Sequence, residues 1–235
     1  MLVAAGQVQA QPAGQPALLP PPTAAPVACP PRGTPLVRVT ISDPDVRVLA
    51  PVSADELRRM ADVPEEVSHD TVLHHLGLTL SRVEWRSEIT VRSQGPSGGP
   101  VCGVPSEVRL SLVHAEHSIR LARELPRGGC LAREVLAHER RHAEVNRRTL
   151  RDAAEGLRQA GRAWAARARA EAPDAGAAAL LLQEDLTAAV EPVLARLRAA
   201  REAGHDAIDT PQEYRRLGRV CPADQRRLSE RLRTH

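Results

Sequence analysis

Apolar and polar residues alternate through the first half of the chain, and apolar residues recur at helical spacing through the second. Leu36-Val37-Arg38-Val39-Thr40-Ile41 and Val46-Arg47-Val48-Leu49 read as short strands. Val83, Trp85, Ile89 and Val91 share one parity, as a long half-buried strand requires. Val108, Leu110 and Leu112 alternate in the same way. Ile119 and Leu121 resume beyond the polar His114-Ala115-Glu116-His117, so this run is a kinked strand or two short ones. His114 and His117 would then sit on the surface or line a cleft. Residues 94–100 are rich in Gly, Pro and Ser and form a turn. Ser53 followed by Glu56 makes a capping box for a short helix through Met60. A second short helix is expected around Asp70 to Leu76, with His74 and His75 at its surface.

From Leu131 the chain favours helix to about Ala170, roughly 60 Å if unbroken. Residues 172–176 (Ala-Pro-Asp-Ala-Gly) form a turn, and a second helix returns from Ala177 to about Ala203, with a kink or restart expected at Pro192. The predicted class is α+β: a small antiparallel sheet packed on a helix, with a long helical hairpin over residues 131–204. Residues 36–235 read as a single domain. Residues 1–35 are rich in Pro, Ala and Gln and cannot bury a core. Their first residues, Leu2-Val3-Ala4-Ala5, lack a basic flank and read as a signal-peptide remnant.

The first hairpin helix carries His138-Glu139-Arg140-Arg141-His142. In this His-Glu-x-x-His pattern the two histidines lie one turn apart and project toward a shared zinc ion. Glu139 lies about 100° round the helix, where its carboxylate can act on a water beside the ion. A catalytic zinc takes a third protein ligand. Glu144 points roughly 160° away from His142, and Asp152 lies about 15 Å further along the axis. The ligand must come from another segment. A hairpin turning near residue 173 or 174 sets His142 opposite the neighbourhood of residue 205 and His138 opposite that of 209. There the chain offers His205, Asp209 and Glu213, then Tyr214. His205 and Glu213 rank above Asp209 as the third ligand, since Asp209 can instead cap a helix starting at Pro211. A residue that does not ligate can hold a ligand imidazole from outside. Tyr214 can stabilise an oxyanion or pack on the hairpin base. Glu184 and Asp185 fall about 30 Å from the site and are set aside.

Composition narrows the function. Phe is absent, so Leu, Val and Ala must build the core, and every basic residue is Arg. A net charge of +3 with 29 acidic residues interspersed makes no nucleic-acid-binding stripe, and stacking aromatics are scarce. No stretch is long and apolar enough for a transmembrane helix. Four widely spaced cysteines suit two disulfides in an oxidising compartment, periplasmic or extracellular. Three pairings are possible; Cys102–Cys130 and Cys29–Cys221 are favoured, the first closing a loop before the metal helix and the second tying the chain ends.

Cys102, the alternating strand, Cys130, His138-Glu139-Arg140-Arg141-His142 and the later segment containing Asp209 together resemble a family of exported bacterial proteins of unknown function described as zinc-dependent proteases. The resemblance covers roughly residues 80–221 and carries over His138, Glu139 and His142 only. The segment after Asp209 departs from the family's Gly-containing pattern, so the third ligand stays open. The resemblance implies a zincin-like fold, Zn2+ and hydrolysis of peptide bonds in a peptide or protein substrate. The competing reading is a non-catalytic envelope protein whose hairpin binds a partner around a structural or vestigial zinc.

Overall fold

A computed structural model of the chain describes residues 27–31, 33–61 and 76–233. The short helix expected around Asp70 to Leu76, with His74 and His75, and most of the Pro-rich N-terminal segment lie outside them.

The spine is a 21-residue strand, β4 (Val101–Leu121). β3 (Gly77–Gln94) pairs antiparallel along nearly all of it. On the opposite edge β1 (Leu36–Ser42) and β2 (Arg47–Val48) follow one another parallel to β4, and β5 (Ala170–Ala172) closes that edge antiparallel at Val101–Gly103. The α+β class therefore holds, but the sheet is mixed and not the antiparallel one expected. Alternation reports which face a residue occupies, not strand direction. The chain between β2 and β4, with α1 (Ala54–Met60) and β3 in it, is long enough for a parallel return. Ser53 caps α1 as its spacing predicts, accepting from the Glu56 amide at 3.1 Å.

The polar interruption at residues 114–117 neither splits nor ends β4. Arg82 pairs with Glu116 and Val83 with His114, leaving Ala115 as a bulge. The extra residue reverses the alternation. Residues 108, 110, 112 and 114 face the core before it, and 117 and 119 after it.

Two long helices cover one face of the sheet. α2 (Cys130–Arg167) and α3 (Ala175–Asp206) run antiparallel, and α3 continues unbroken through Pro192. Leu150, Leu157 and Trp164 of α2 and Leu182, Leu186 and Val193 of α3 pack on Val108, Leu110 and Leu112. This apolar seam on both sides of residue 192 offsets the amide that proline lacks. The indole of Trp164 is fully buried and donates to Asp185 Oδ2 at 2.7 Å, which gives the far end of the pair a fixed alignment. At the near end Gly204 lets the backbones close up, since a Cβ there would lie 2.6 Å from Val145 Cγ1.

A smaller core of Leu57, Leu76, Leu125, Leu131, Val135 and Leu228 surrounds the start of α2. α2 has no capping side chain of its own at Gly129. Asp224 of α5 (Pro222–Arg233) serves instead, accepting from the Leu131 amide at 3.0 Å. The disulfides are Cys29–Cys102 and Cys130–Cys221, not the favoured pairs. Cys102 begins β4 and Cys130 follows its end, so the unbroken strand holds them on the order of 60 Å apart. Cys130–Cys221 joins the start of α2 to the link between α4 (Pro211–Arg219) and α5, a separation of 91 residues. Replacing both Cys130 and Cys221 by Ser is expected to lower stability by about 2–5 kcal/mol, read as a drop in the urea midpoint.

Candidate metal centre

α2 carries His138, Glu139 and His142 on its buried side, facing the start of β3 and the end of α3. α3 stops at Asp206, and the chain turns so that the Asp209 amide donates to the His205 carbonyl at 2.9 Å. Thr210, not Asp209, caps α4 by accepting from the Glu213 amide at 3.2 Å. That leaves the Asp209 carboxylate free to face the histidines.

Three atoms meet there. His138 Nε2, His142 Nε2 and Asp209 Oδ1 are mutually 3.1 Å apart. Atoms bound to one tetrahedral zinc at about 2.0–2.1 Å lie roughly 3.3 Å from each other, so this triangle fits the ion with little movement. Its donors are two imidazole nitrogens and a carboxylate oxygen, a set zinc favours in sites that keep a position open. A cavity of about 280 Å3 borders the three side chains and is also lined by Gly77, Thr79 and Tyr214.

His205 and Glu213, ranked first from sequence, stand one layer further out. His142 Nδ1 lies 2.8 Å from His205 Nδ1, and His138 Nδ1 lies 3.4 Å from Glu213 Oε1. His138 Nδ1 also lies 3.0 Å from a guanidinium nitrogen of Arg141, so the outer edge of this ring sits between an acceptor and a donor that hold it in place. Glu213 is in turn held by Arg141 and by Arg216, whose Nε is 2.9 Å from Glu213 Oε2. Asp209, ranked last, is the residue that meets both histidines. The sequence could not separate the three because they recur at one spacing, and only the turn after Asp206 decides which enters.

Burial pushes Asp209 up, yet hydrogen bonds from His138, His142 and Tyr214 outweigh it and hold the carboxyl far below its usual range. The Tyr214 hydroxyl is thus engaged with Asp209, while its ring sits 6.2 Å from that of His138. Burial raises the Glu139 carboxyl above its ordinary value. Two residues that sequence reasoning passed over fix this carboxylate. Thr79 Oγ1 donates to Glu139 Oε2 at 2.7 Å, and Gly77 lies so close that a Cβ there would come within 2.5 Å of Oε1. The only hint was a glycine opening the long strand.

Asp43, His114 and His117 form a second converging group, reached by neither reading from sequence. Both histidines are buried and stacked, ring centroids 4.5 Å apart, because the bulge at Ala115 turns residues three apart to the same face. Cations already occupy this group. Arg147 and Arg151 lie 3.1 and 3.4 Å from Asp43 Oδ2, and Arg201 lies 2.9 Å from His114 Nε2. The Pro44 carbonyl is near enough to favour a charged His117, but neither of that ring's nitrogens makes a well-formed hydrogen bond. With three guanidinium groups around it, the group joins sheet to helices and is a poor host for a further cation.

No protein-family model, curated protein or solved structure matches the chain. The reading of the site therefore stands on its geometry and donor chemistry.

The two layers separate experimentally. Asp209→Ala should abolish stoichiometric zinc binding, whereas Glu213→Ala should weaken it about 10–100-fold, both measured by competition with a chelator.

Proposed function

We propose that the chain is a zinc-dependent metallopeptidase acting on peptide or protein substrates in the periplasm or outside the cell. The observation that carries this reading is the 3.1 Å triangle of His138, His142 and Asp209 with the buried carboxylate of Glu139 beside it. Structural zinc sites are closed by four protein ligands, whereas three ligands next to a cavity suit catalysis. The two disulfides accord with an oxidising compartment, and among the described residues no helix is long and apolar enough to cross a membrane. We read the metal helix packed beside an outer strand as zincin-like, in keeping with the family resemblance at residues 138–142.

Zinc held by the three residues supplies Lewis acidity, lowering the pKa of a nearby water toward neutrality and polarising a carbonyl. The protein side of the chemistry falls to Glu139, which takes the proton of the attacking water and delivers it to the leaving amine. A carboxyl raised by burial suits that task, because it holds a proton more readily than an exposed one and can still release it. Thr79 and Gly77 fix the direction in which it does so. Tyr214, anchored on Asp209, orients that ligand; it can serve a developing oxyanion only by leaving that bond. A second cavity of about 340 Å3, lined in part by Leu76, Val135, Leu217 and Tyr214, opens beside Glu139 and offers an apolar berth for a substrate side chain.

Glu139→Gln should retain zinc and lose activity on casein or a peptide mixture by about 10²–10⁴-fold. Zinc in both proteins with hydrolysis in neither would favour the non-catalytic envelope protein instead.

A further inference from the structure

The two margins of the sheet are built differently. One is divided among β1, β2 and β5, the longest of them seven residues, and strands that short are poor templates for pairing. The other is the outer edge of β3, 18 residues long and free of proline. Among the described residues β3 pairs with β4 alone. At both register shifts between them the extra residue lies in β4, so the alternation of β3 itself is unbroken. Such an edge holds a row of open amides and carbonyls toward any strand that approaches.

Side chains decide which strand that is. Val83, Trp85 and Ile89 face the helices, and Arg82, Glu84, Arg86 and Glu88 follow one another on the opposite face. Their shared side is confirmed by the ion pairs Arg82–Glu84 at 2.8 Å and Arg86–Glu84 at 3.3 Å. A run of like charge would repel a second copy of itself. This run alternates, so it matches its own reverse, and it does so in one register. With Trp85 on a two-fold axis, Glu84 faces Arg86 of the second copy and Arg82 faces its Glu88, each pair occurring twice. Moving the axis to Glu84 or Arg86 sets like charges against each other. Moving it to Val83 or Ser87 leaves two of the four without an opposite charge.

We propose that two copies of the chain associate through β3, antiparallel about Trp85, so that their sheets become one. Main-chain hydrogen bonds supply the attraction and the alternating charges fix the register. The indole of Trp85, only partly buried against its own core, meets its counterpart at the axis. A two-fold contact is satisfied by one partner, so assembly stops at the dimer. The inference is independent of the zinc reading, because none of residues 82–88 borders the cavity at the triangle.

Sedimentation equilibrium of the oxidised full chain, from micromolar concentration upward, should show a reversible monomer–dimer equilibrium in the wild type. Glu84→Arg and Arg86→Glu each turn two of the four opposite-charge pairs into like pairs, and each should raise the dimer Kd at least about tenfold. An equimolar mixture of the two variants restores every pair and should form a mixed dimer with a Kd within a few-fold of wild type. The double variant carrying both changes in one chain should dimerise equally well. The changed side chains lie on the solvent face of the sheet, and circular dichroism checks that each variant is folded. A wild type that stays monomeric overturns the proposal and leaves the edge to an extended peptide of another kind. A dimer indifferent to both single changes, or a mixture that fails to pair, overturns it as well. A wild type that dimerises but hydrolyses no peptide supports the dimer and counts against the peptidase reading alone.

Discussion

The site depends on how closely and in what alignment α2 and α3 approach each other. A helix can put two imidazoles one turn apart by itself, but it cannot turn a third ligand back upon them. Here the third member of the triangle, Asp209, lies 67 positions downstream of His142, so its placement is only as good as the register of two helices more than 30 residues long. That register is pinned at both ends. Trp164 and Asp185 hold one end through a buried hydrogen bond, and Gly204 against Val145 holds the other through close contact. Between them Leu150, Leu157, Leu182, Leu186 and Val193 bind the pair to the sheet. A slip of one residue would rotate the facing side chains by about 100° and carry Asp209 out of reach.

Much of this was legible in the sequence, because helices obey a fixed rise. Counting back from the turn near residue 174 was enough to bring the segment 205–213 to His138 and His142. What could not be read was set by interactions that leave no periodic trace. His205, Asp209 and Glu213 look equivalent until the cap at Thr210 releases Asp209. Thr79 and Gly77 belong to a strand whose pattern speaks only of burial. The direction of β1 and β2 and the pairing of the cysteines depend on where an unbroken 21-residue strand carries the chain. His114 keeps the core parity of Val108, Leu110 and Leu112, whereas the burial of His117 beside it could not be read because a single bulged residue reverses the face that alternation assigns.

The two histidines of the triangle are oriented by unlike means. Behind His138 stands a carboxylate in a cluster of arginines near solvent; behind His142 stands a neutral chain of ring and amide within the helix pair. The first kind of contact is electrostatic and screened by salt, the second depends on fit and burial. One side of the site is thus tied to the core and the other to the surface.

That difference extends to α4. The helix has no buried residue, although it supplies Tyr214 and Leu217 to the cavity beside Glu139 and sets Glu213 against His138. It is kept in place by the turn at Thr210, by ion pairs such as Arg216 with Glu134, and by the covalent bridge at Cys221 just past its end. Exposed ion pairs contribute little singly. The bridge makes up for this by keeping the helix at a high effective concentration beside α2, so that weak contacts suffice to align it. An element fixed by tethering and not by burial costs little to open locally. The outer wall of the site is therefore held by a covalent tether and surface contacts, whereas the hairpin beneath it, and the histidines it carries, are held by the core.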